Sequence, residues 1–214
     1  MDAVSYKTTK GESEAEYIIQ KSRFITHTKH VETEEEAREF IAALKKKYFD
    51  ARHNPSAYVI GENQAKQKSN DDGEPGGTAG NPILEAIKAN ELTNIVIVVT
   101  RYFGGIKLGA GGLIRAYNHS AVLGIESAEK IAMLPFISTL LIMDYNLLSP
   151  VENYLRQKEL TTESSDYGEK VTLSILLPPE SADAITKELT DLTAGKITIE
   201  PGEKLIRPQP LKNT

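Results

Sequence analysis

The chain has 214 residues, of which 40% are hydrophobic and 26% are charged, and its formal net charge is −5. This composition excludes a wholly disordered protein, and the acidic balance argues against a general nucleic-acid coat protein, which usually carries a basic surface. The lack of cysteine excludes disulfides and cysteine nucleophiles. No apolar run is long enough to span a membrane and the N-terminus has no apolar signal core, so we expect a cytoplasmic protein without membrane contact.

The charge is distributed unevenly along the chain. Residues 1–132 contain 17 Lys and Arg against 18 Asp and Glu, whereas residues 133–214 contain 8 against 12. We therefore expect a bound polyanion to contact the first part of the chain, where the basic residues can form a local patch.

The first part opens with a strand pattern followed by a helix pattern. The segment EYIIQKSRFITHTKHV, which starts at Glu16, predicts the first strand. Thr33 and Glu36 have the spacing of a capping box, and residues 56–61, SAYVIG, predict another strand. After the capping box and before this strand, apolar residues recur at the intervals of a helix, and these are Ala37, Phe40, Ile41, Leu44 and Tyr48.

The middle of the chain is rich in glycine. Residues 62–81 are polar and lack periodicity, so they predict either a disordered segment or a functional loop. Residues 82–90 begin with proline and predict a short helix. The β-branched run NIVIVV, residues 94–99, predicts a strand buried on both faces. A further helix is predicted over residues 113–130, directly after five glycines that fall within nine positions.

A break at MLPF, with Pro135 as punctuation, predicts a boundary between domains 1–132 and 133–214. The second domain shows a strand, a helix capped by Ser149, a hairpin, an amphipathic helix around Ile185 and a final strand. This β-α-β-β-α-β order is the ferredoxin-like arrangement, so the sequence predicts the α+β class.

A strand, a glycine-rich turn and a helix in succession often bind anions, because the free amides and dipole of a helix N-terminus attract negative charge. Three basic residues accompany this turn, namely Arg101, Lys107 and Arg115. The glycine spacing fits neither a P-loop nor a dinucleotide fingerprint. The alternative is that the glycines only permit a tight turn. Such a glycine cluster needs a local reason, such as positive φ or close backbone approach, and we expect Gly111 and Gly112 to be backbone requirements of this loop, with positive φ at either making valine destabilising there.

The segment DDGEPGGTAGNP, residues 71–82, is a second candidate cluster. Its three acids, Asp71, Asp72 and Glu74, suit either Mg²⁺ coordination or proton transfer. The calcium-loop spacing is absent, and Asp-Gly and Glu-Pro are strong turn formers, so turn chemistry is the favoured interpretation. His53 precedes a predicted strand, where it serves as a hydrogen-bonded structural residue or faces the glycine loops. We predict no metal and no cofactor.

Four segments together resemble the IMPACT family and its bacterial, YigZ-type members. They are KSRF from residue 21, ARHNPSAY from 51, DDGEPGGTAG from 71 and VVTRYFGGIKLGAGGLIRAY from 98. The resemblance implies a first βαβ domain similar to domain IV of elongation factor G, and a ferredoxin-like second domain. Eukaryotic relatives regulate translation initiation through an additional N-terminal domain, for which we expect no room here.

That architecture suggests binding to RNA or the ribosome, with a role in translation or its regulation. The residues that we assign to anion or nucleic-acid binding are Arg23, His53, Arg101, Tyr102, Gly104, Gly105, Lys107, Gly109, Gly111, Gly112 and Arg115. We also assign a functional loop that contains Asp71, Asp72, Gly73, Glu74 and Thr78. The alternatives are an enzyme acting on a small phosphorylated ligand, with His53 or one of the acids transferring the proton, and a protein interaction module.

Overall fold

A computed structural model describes residues 6–61 and 63–211 of the chain. These residues divide into two units, the first consisting mainly of Tyr6–Met133 and the second mainly of Leu134–Arg207. The elements of the first unit are β1 (Tyr6–Lys10), β2 (Glu12–Ile19), β3 (Ser22–His30), α1 (Glu34–Lys47), β4 (Ser56–Ile60), β5 (Lys66–Asn70), α2 (Gly80–Ala89), β6 (Ile95–Tyr102), α3 (Gly109–Ser127) and the start of β7 (Glu129–Met143).

The sheet of the first unit has the strand order β2-β3-β6-β4-β5, and every neighbouring pair is antiparallel. The connection from β3 through α1 to β4 therefore links two parallel strands with β6 inserted between them, which is a split β-α-β unit. The short strand β1 pairs separately with the start of β7.

The central strand β6 is buried on both faces, as its continuous β-branched run predicts. Ile95, Ile97 and Val99 pack in the core with α2 and α3, whereas Val96 and Val98 pack in the core with α1. Full burial of one such side chain stabilises the fold by about 1.5–3 kcal/mol, so this strand fixes both layers of helices onto the sheet.

The capping-box prediction for α1 is also confirmed. Thr33 Oγ1 accepts a hydrogen bond from the Glu36 amide at 3.2 Å, and the Glu36 carboxylate accepts one from the Thr33 amide at 3.3 Å. Such a cap contributes about 1 kcal/mol because it satisfies amides that have no partner within the helix.

Two predictions for the first unit are wrong. The segment predicted as one strand from Glu16 is a hairpin, in which β2 and β3 join through Gln20 and Lys21, both with positive φ. Two-residue hairpin turns need such backbone angles, but these residue types give little sign of them in the sequence. The segment predicted to lack structure contains β5, an entirely polar edge strand that has no buried face to impose apolar alternation.

The second unit continues β7 and adds α4 (Leu148–Gln157), β8 (Thr162–Tyr167), β9 (Val171–Leu177), α5 (Ala182–Leu192) and β10 (Thr198–Pro210). Its sheet has the order β10-β7-β9-β8, which is the ferredoxin-like arrangement that the sequence predicts. Pro135 lies within β7. The predicted Ser149 cap is wrong, because α4 begins at Leu148 and its N-cap makes no side-chain hydrogen bond. Within the described part of the chain, no helix is long and apolar enough to cross a membrane.

Candidate ligand-binding site

A cavity of about 330 Å³ lies in the first unit where three of the sequence motifs meet. Arg52 and His53 reach it from the segment before β4, Glu74 from the loop before α2, and Arg101 from β6. The turn after β6 and the start of α3 complete the wall, with Phe103, Lys107, Leu108, Gly109 and Ala110. The fold therefore brings together side chains that are far apart in the sequence, such as Arg52 and Ala110, which are 58 positions apart.

A buried ion pair forms one wall of this cavity. Arg101 Nη1 donates a hydrogen bond to Glu74 Oε1 at 2.7 Å, and the two side chains are 8% and 3% exposed. The Tyr117 hydroxyl donates to the same oxygen at 2.6 Å. Burial and then the neighbouring carboxylate raise the pKa of Tyr117, so its hydroxyl stays protonated. The charge of Arg101 is thus balanced inside the protein by Glu74.

Two aromatic rings lie beside the Arg101 guanidinium. Its central carbon is 5.6 Å from the ring centroid of Phe24, which is fully buried, and 5.6 Å from that of Phe103, which is 50% exposed. Cation–π attraction of this kind is worth about 0.5–2 kcal/mol and orients the exposed ring. Within the described residues, Arg101 Nε has no hydrogen-bond partner.

The two other cations of the wall are differently placed. Arg52 and Lys107 are both exposed, and neither forms an ion pair with any residue in the described ranges 6–61 and 63–211. Their charge is therefore available to a ligand. Arg115, which the sequence groups with Lys107, lies instead beside a separate cavity of about 420 Å³ together with Asn118.

Helix α3 begins at the cavity with Gly109, and its N-cap Leu108 has no side-chain oxygen to satisfy the first amides. Free amides and the helix dipole at this point favour an anion. The expectation for the glycines is wrong in detail, because Gly111 and Gly112 do not have positive φ, whereas Gly105 and Gly109 do. Gly111 and Gly112 lie in the first turn of α3, where any residue adopts the backbone angles.

Gly104 is required for a different reason. A Cβ atom built on it would overlap the backbone of Lys21, in the turn after β2, and of Ser22, the first residue of β3. The Gly104 amide also donates to Ser22 Oγ at 3.2 Å. Close backbone approach, rather than positive φ, is the physical reason for glycine at this position.

The acid-rich loop before α2 uses its carboxylates internally. Asp71 accepts hydrogen bonds from the amides of Gly77, Ala79 and Gly80 at 2.8–3.0 Å. Burial acts to raise the pKa of Asp71, but these three amides outweigh it and leave the pKa below its usual value. The Thr78 hydroxyl donates to the Pro75 carbonyl at 2.6 Å. These bonds are the turn chemistry that the sequence favours for this segment.

Asp72 closes the same loop against its neighbours. Its carboxylate accepts from the Asn54 amide at 2.7 Å and pairs with Lys45 at 2.5 Å. Within the described residues, no group of three or more His, Asp or Glu side chains is arranged to hold a metal ion. With Asp71, Asp72 and Glu74 all engaged, the proton-transfer candidate left at the cavity is His53.

His53 is held in one tautomer by the backbone. Its Nδ1 lies 2.8 Å from the carbonyl oxygen of Asp72, which can only accept, so Nδ1 carries the proton of the neutral ring. Among the described residues Nε2 has no hydrogen-bond partner, so its lone pair is free. Gly73 has a φ of +83°, and a Cβ atom there would lie 3.3 Å from Nδ1 of His53. The lack of a side chain at Gly73 therefore leaves room for the imidazole ring.

Arg23 and Tyr102 do not reach the cavity. They are paired across β3 and β6, where Arg23 binds Glu16 at 2.6 Å and the Tyr102 hydroxyl donates to Asp50 at 2.8 Å. Sequence reasoning missed Arg52, Phe103 and Tyr117 as members of the site. All three lie inside the quoted motifs, next to assigned residues or on the helix that follows them, so the motifs themselves held the signal.

Comparison with known proteins adds family information to this geometry. Residues 20–125 match the family described as the Impact N-terminal domain, and residues 141–196 match one described as a domain of unknown function. The chain is 46% identical to "IMPACT family member YvyE" of Bacillus subtilis, over 93% of this chain and 92% of the relative. It is 34% identical to "IMPACT family member YigZ" of Escherichia coli, over 85% of this chain and 90% of the relative.

Two further matches differ in their extent. "Protein IMPACT homolog" of Dictyostelium discoideum is 36% identical over 46% of this chain, but only 29% of that relative is covered. A solved structure described as "Crystal structure of an hypothetical protein" is 31% identical, with a TM-score of 0.60 over 94% of this chain and 98% of the other.

Proposed function

Because the chain belongs to the IMPACT family, and the cavity lies within the residues that match its N-terminal domain, we propose that its first unit binds RNA, free or within the ribosome. The proposed setting is the cytoplasm, and the proposed role is in translation or its regulation. Membership of the family does not by itself identify a ligand, and it is the chemistry of the cavity that supports RNA.

The observation that carries the proposal is the combination of unpaired cations and an exposed ring in one cavity. Arg52, Lys107 and the uncapped start of α3 offer positive charge and amide donors to phosphate. Phe103, which is 50% exposed, offers a flat face for base stacking, worth about 1–3 kcal/mol per base. A nucleotide within a strand is a ligand that uses both features.

The size of the cavity agrees with this ligand. Its volume of about 330 Å³ lies near the lower end of the usual range for small-ligand sites, roughly 300–1,000 Å³. A cavity of this size has room for one nucleotide, so neighbouring phosphates of a bound strand would lie outside it. The overall charge of −5 does not oppose this, because binding depends on the local cations around the cavity.

The test is a titration of labelled single-stranded RNA at a series of salt concentrations, with wild type, Lys107→Ala and Lys187→Ala. If Lys107 contacts a phosphate, its replacement should reduce the slope of log affinity against log salt by about 0.7, the release expected for one contact on a single strand. Lys187 lies exposed on α5 in the second unit, so its replacement removes the same charge and should leave the slope unchanged.

A second candidate is an enzyme that acts on a small phosphorylated ligand. The observation in its favour is His53, whose Nε2 lone pair is free to take a proton while the three acids of the loop are engaged. Inorganic phosphate and nucleotides, added as competitors in the same titration, separate the two. Saturable nucleotide binding with no RNA binding even at low salt would replace the RNA proposal with this one.

The third candidate, a protein interaction module, corresponds to the exposed apolar side chains around the same turn. Phe103, Ile106 and Ile114 are 50%, 44% and 43% exposed. Binding to neither RNA nor nucleotides at low salt would contradict the proposal and favour a protein partner for this surface.

A further inference from the structure

We propose that His53 makes the cavity selective for RNA over DNA, by accepting a hydrogen bond from a ribose 2′-hydroxyl at Nε2. This inference rests on the proposed RNA binding and names the residue that would read the sugar. A protein distinguishes the two nucleic acids at a given site chiefly through the 2′-hydroxyl, which donates and accepts hydrogen bonds.

The protein fixes which nitrogen of the His53 ring donates and which accepts a hydrogen bond. The Asp72 carbonyl oxygen, 2.8 Å from Nδ1, requires a proton on that nitrogen. The neutral imidazole therefore presents an acceptor at Nε2 and cannot switch to the other tautomer without losing this bond. A histidine held in this way selects a donor on its ligand.

The backbone around His53 is held rigidly. The backbone of His53 forms a bridge to Arg101, whose amide donates to the His53 carbonyl at 3.0 Å. The next amide, that of Asn54, donates to the Asp72 carboxylate at 2.7 Å. Hydrogen bonds thus connect the His53 backbone to β6 and to the loop that orients its ring. A side chain that recognises a ligand needs such a fixed position.

An acceptor at Nε2 can pair only with those groups of a nucleic acid that donate hydrogen bonds. Phosphate oxygens and the ribose ring oxygen only accept, so they cannot pair with the Nε2 lone pair. They are left to the cations and the helix amides of the same cavity. The base face is left to the exposed ring of Phe103, and the amino donors on base edges are shared by RNA and DNA, so they would not discriminate between the two. The sugar lies between phosphate and base in every nucleotide, and its 2′-hydroxyl is a donor that RNA carries at each residue and DNA lacks.

The experiment compares three single-stranded oligonucleotides of one sequence, namely RNA, DNA and 2′-O-methyl RNA, on the full chain at low salt. The methylated strand keeps the oxygen but loses the donor proton. Since a net hydrogen bond is worth about 0.5–1.5 kcal/mol, wild type should bind RNA roughly 2- to 13-fold more tightly than either of the other strands.

The matched variants are His53→Phe, which keeps a ring but has no acceptor, and Lys187→Ala, which should behave as wild type. His53→Phe should lower RNA affinity to the level of DNA and leave DNA affinity unchanged. His53→Gln, which keeps an acceptor, should retain part of the preference and serves if the Phe variant fails to fold.

The outcomes separate this inference from the proposed function. Equally tight binding of all three strands by wild type would overturn the role of His53. A His53→Phe variant that loses affinity for RNA and for DNA in equal measure would do the same. Neither result would contradict the proposed RNA binding. Failure of wild type to bind any strand at low salt would overturn the proposed function, and this inference with it.

Discussion

The two loops that meet at the cavity are both rich in glycine and charge, yet they use their polar groups in opposite ways. The acid loop, residues 71–79, directs its carboxylates inward, onto backbone amides, Lys45 and Arg101. The glycine loop, residues 103–112, leaves Lys107 and the first amides of α3 without side-chain partners among the described residues. Two loops of similar composition therefore differ: the acid loop is held by internal hydrogen bonds and ion pairs, whereas the glycine loop leaves its polar groups open to a ligand.

This difference shows which loop is suited to hold a ligand. A carboxylate that accepts several amides stabilises the fold and has little capacity left for a further partner. An unpaired cation beside an uncapped helix is stabilised when an anion binds. Changes in the acid loop should accordingly affect stability, and changes in the cations of the glycine loop should affect binding.

The largest effect is expected where the acid loop reaches Arg101. Glu74→Ala should lower the free energy of unfolding by about 3–5 kcal/mol, because it leaves a buried guanidinium without its counter-charge and the Tyr117 hydroxyl without its acceptor. Urea denaturation followed by circular dichroism measures this loss. Removing both charges in Glu74→Leu/Arg101→Met should recover about half of it or more, since a buried ion pair is often replaceable by apolar side chains. Equal losses in the single and double variants would show that the pair does not determine stability here.

The next effect distinguishes glycines within the glycine loop. Gly104→Ala should cost about 2–3 kcal/mol, because its Cβ overlaps the backbone of Lys21 and Ser22. Gly111→Ala is the matched control, because its Cβ would meet only Arg115 Nη1 at 3.6 Å, an ordinary contact. Alanine is also the better helix former, so this variant should be stabilised by up to about 1 kcal/mol. Denaturation midpoints that shift in the same direction for both variants would contradict this assignment of roles.

The sequence predicts most of the fold because the relevant patterns are local. The capping box of α1, the β-branched run of β6 and the element order of the second unit each follow from residues close together in the chain. The turn at Gln20 and Lys21 and the polar strand β5 were missed because their conformation depends on pairing with other strands. Local composition carries no record of such partners.

The site is less predictable than the fold for a related reason. The motifs identify Arg101 and Lys107 equally well as cations near glycines, but only the fold shows that Glu74, 27 positions earlier, neutralises one of them. Likewise, the acceptor at His53 Nε2 follows from a carbonyl 19 residues away along the chain. The reason for Gly104 lies in a backbone segment more than 80 positions earlier. Charge balance, tautomer and steric contact are properties of spatial neighbours.

The smallest of these effects concerns Asp71 in the acid loop, and it depends on pH. Because the folded protein holds the pKa of Asp71 below its unfolded value of about 4, this group adds stability above that pH and loses it as the pH falls through the folded pKa. Asp71→Asn keeps one oxygen acceptor but loses the charge and should cost about 1–2 kcal/mol at pH 7. The difference from wild type should shrink below about pH 4, where wild type protonates and the variant does not. Urea midpoints measured between pH 3 and pH 7 test this, with Asp191→Asn on the exposed end of α5 as the control. A deficit for Asp71→Asn that stays constant across this range would mean that the three amide contacts do not depend on the charge, and the acid loop would then be held by its backbone turns alone.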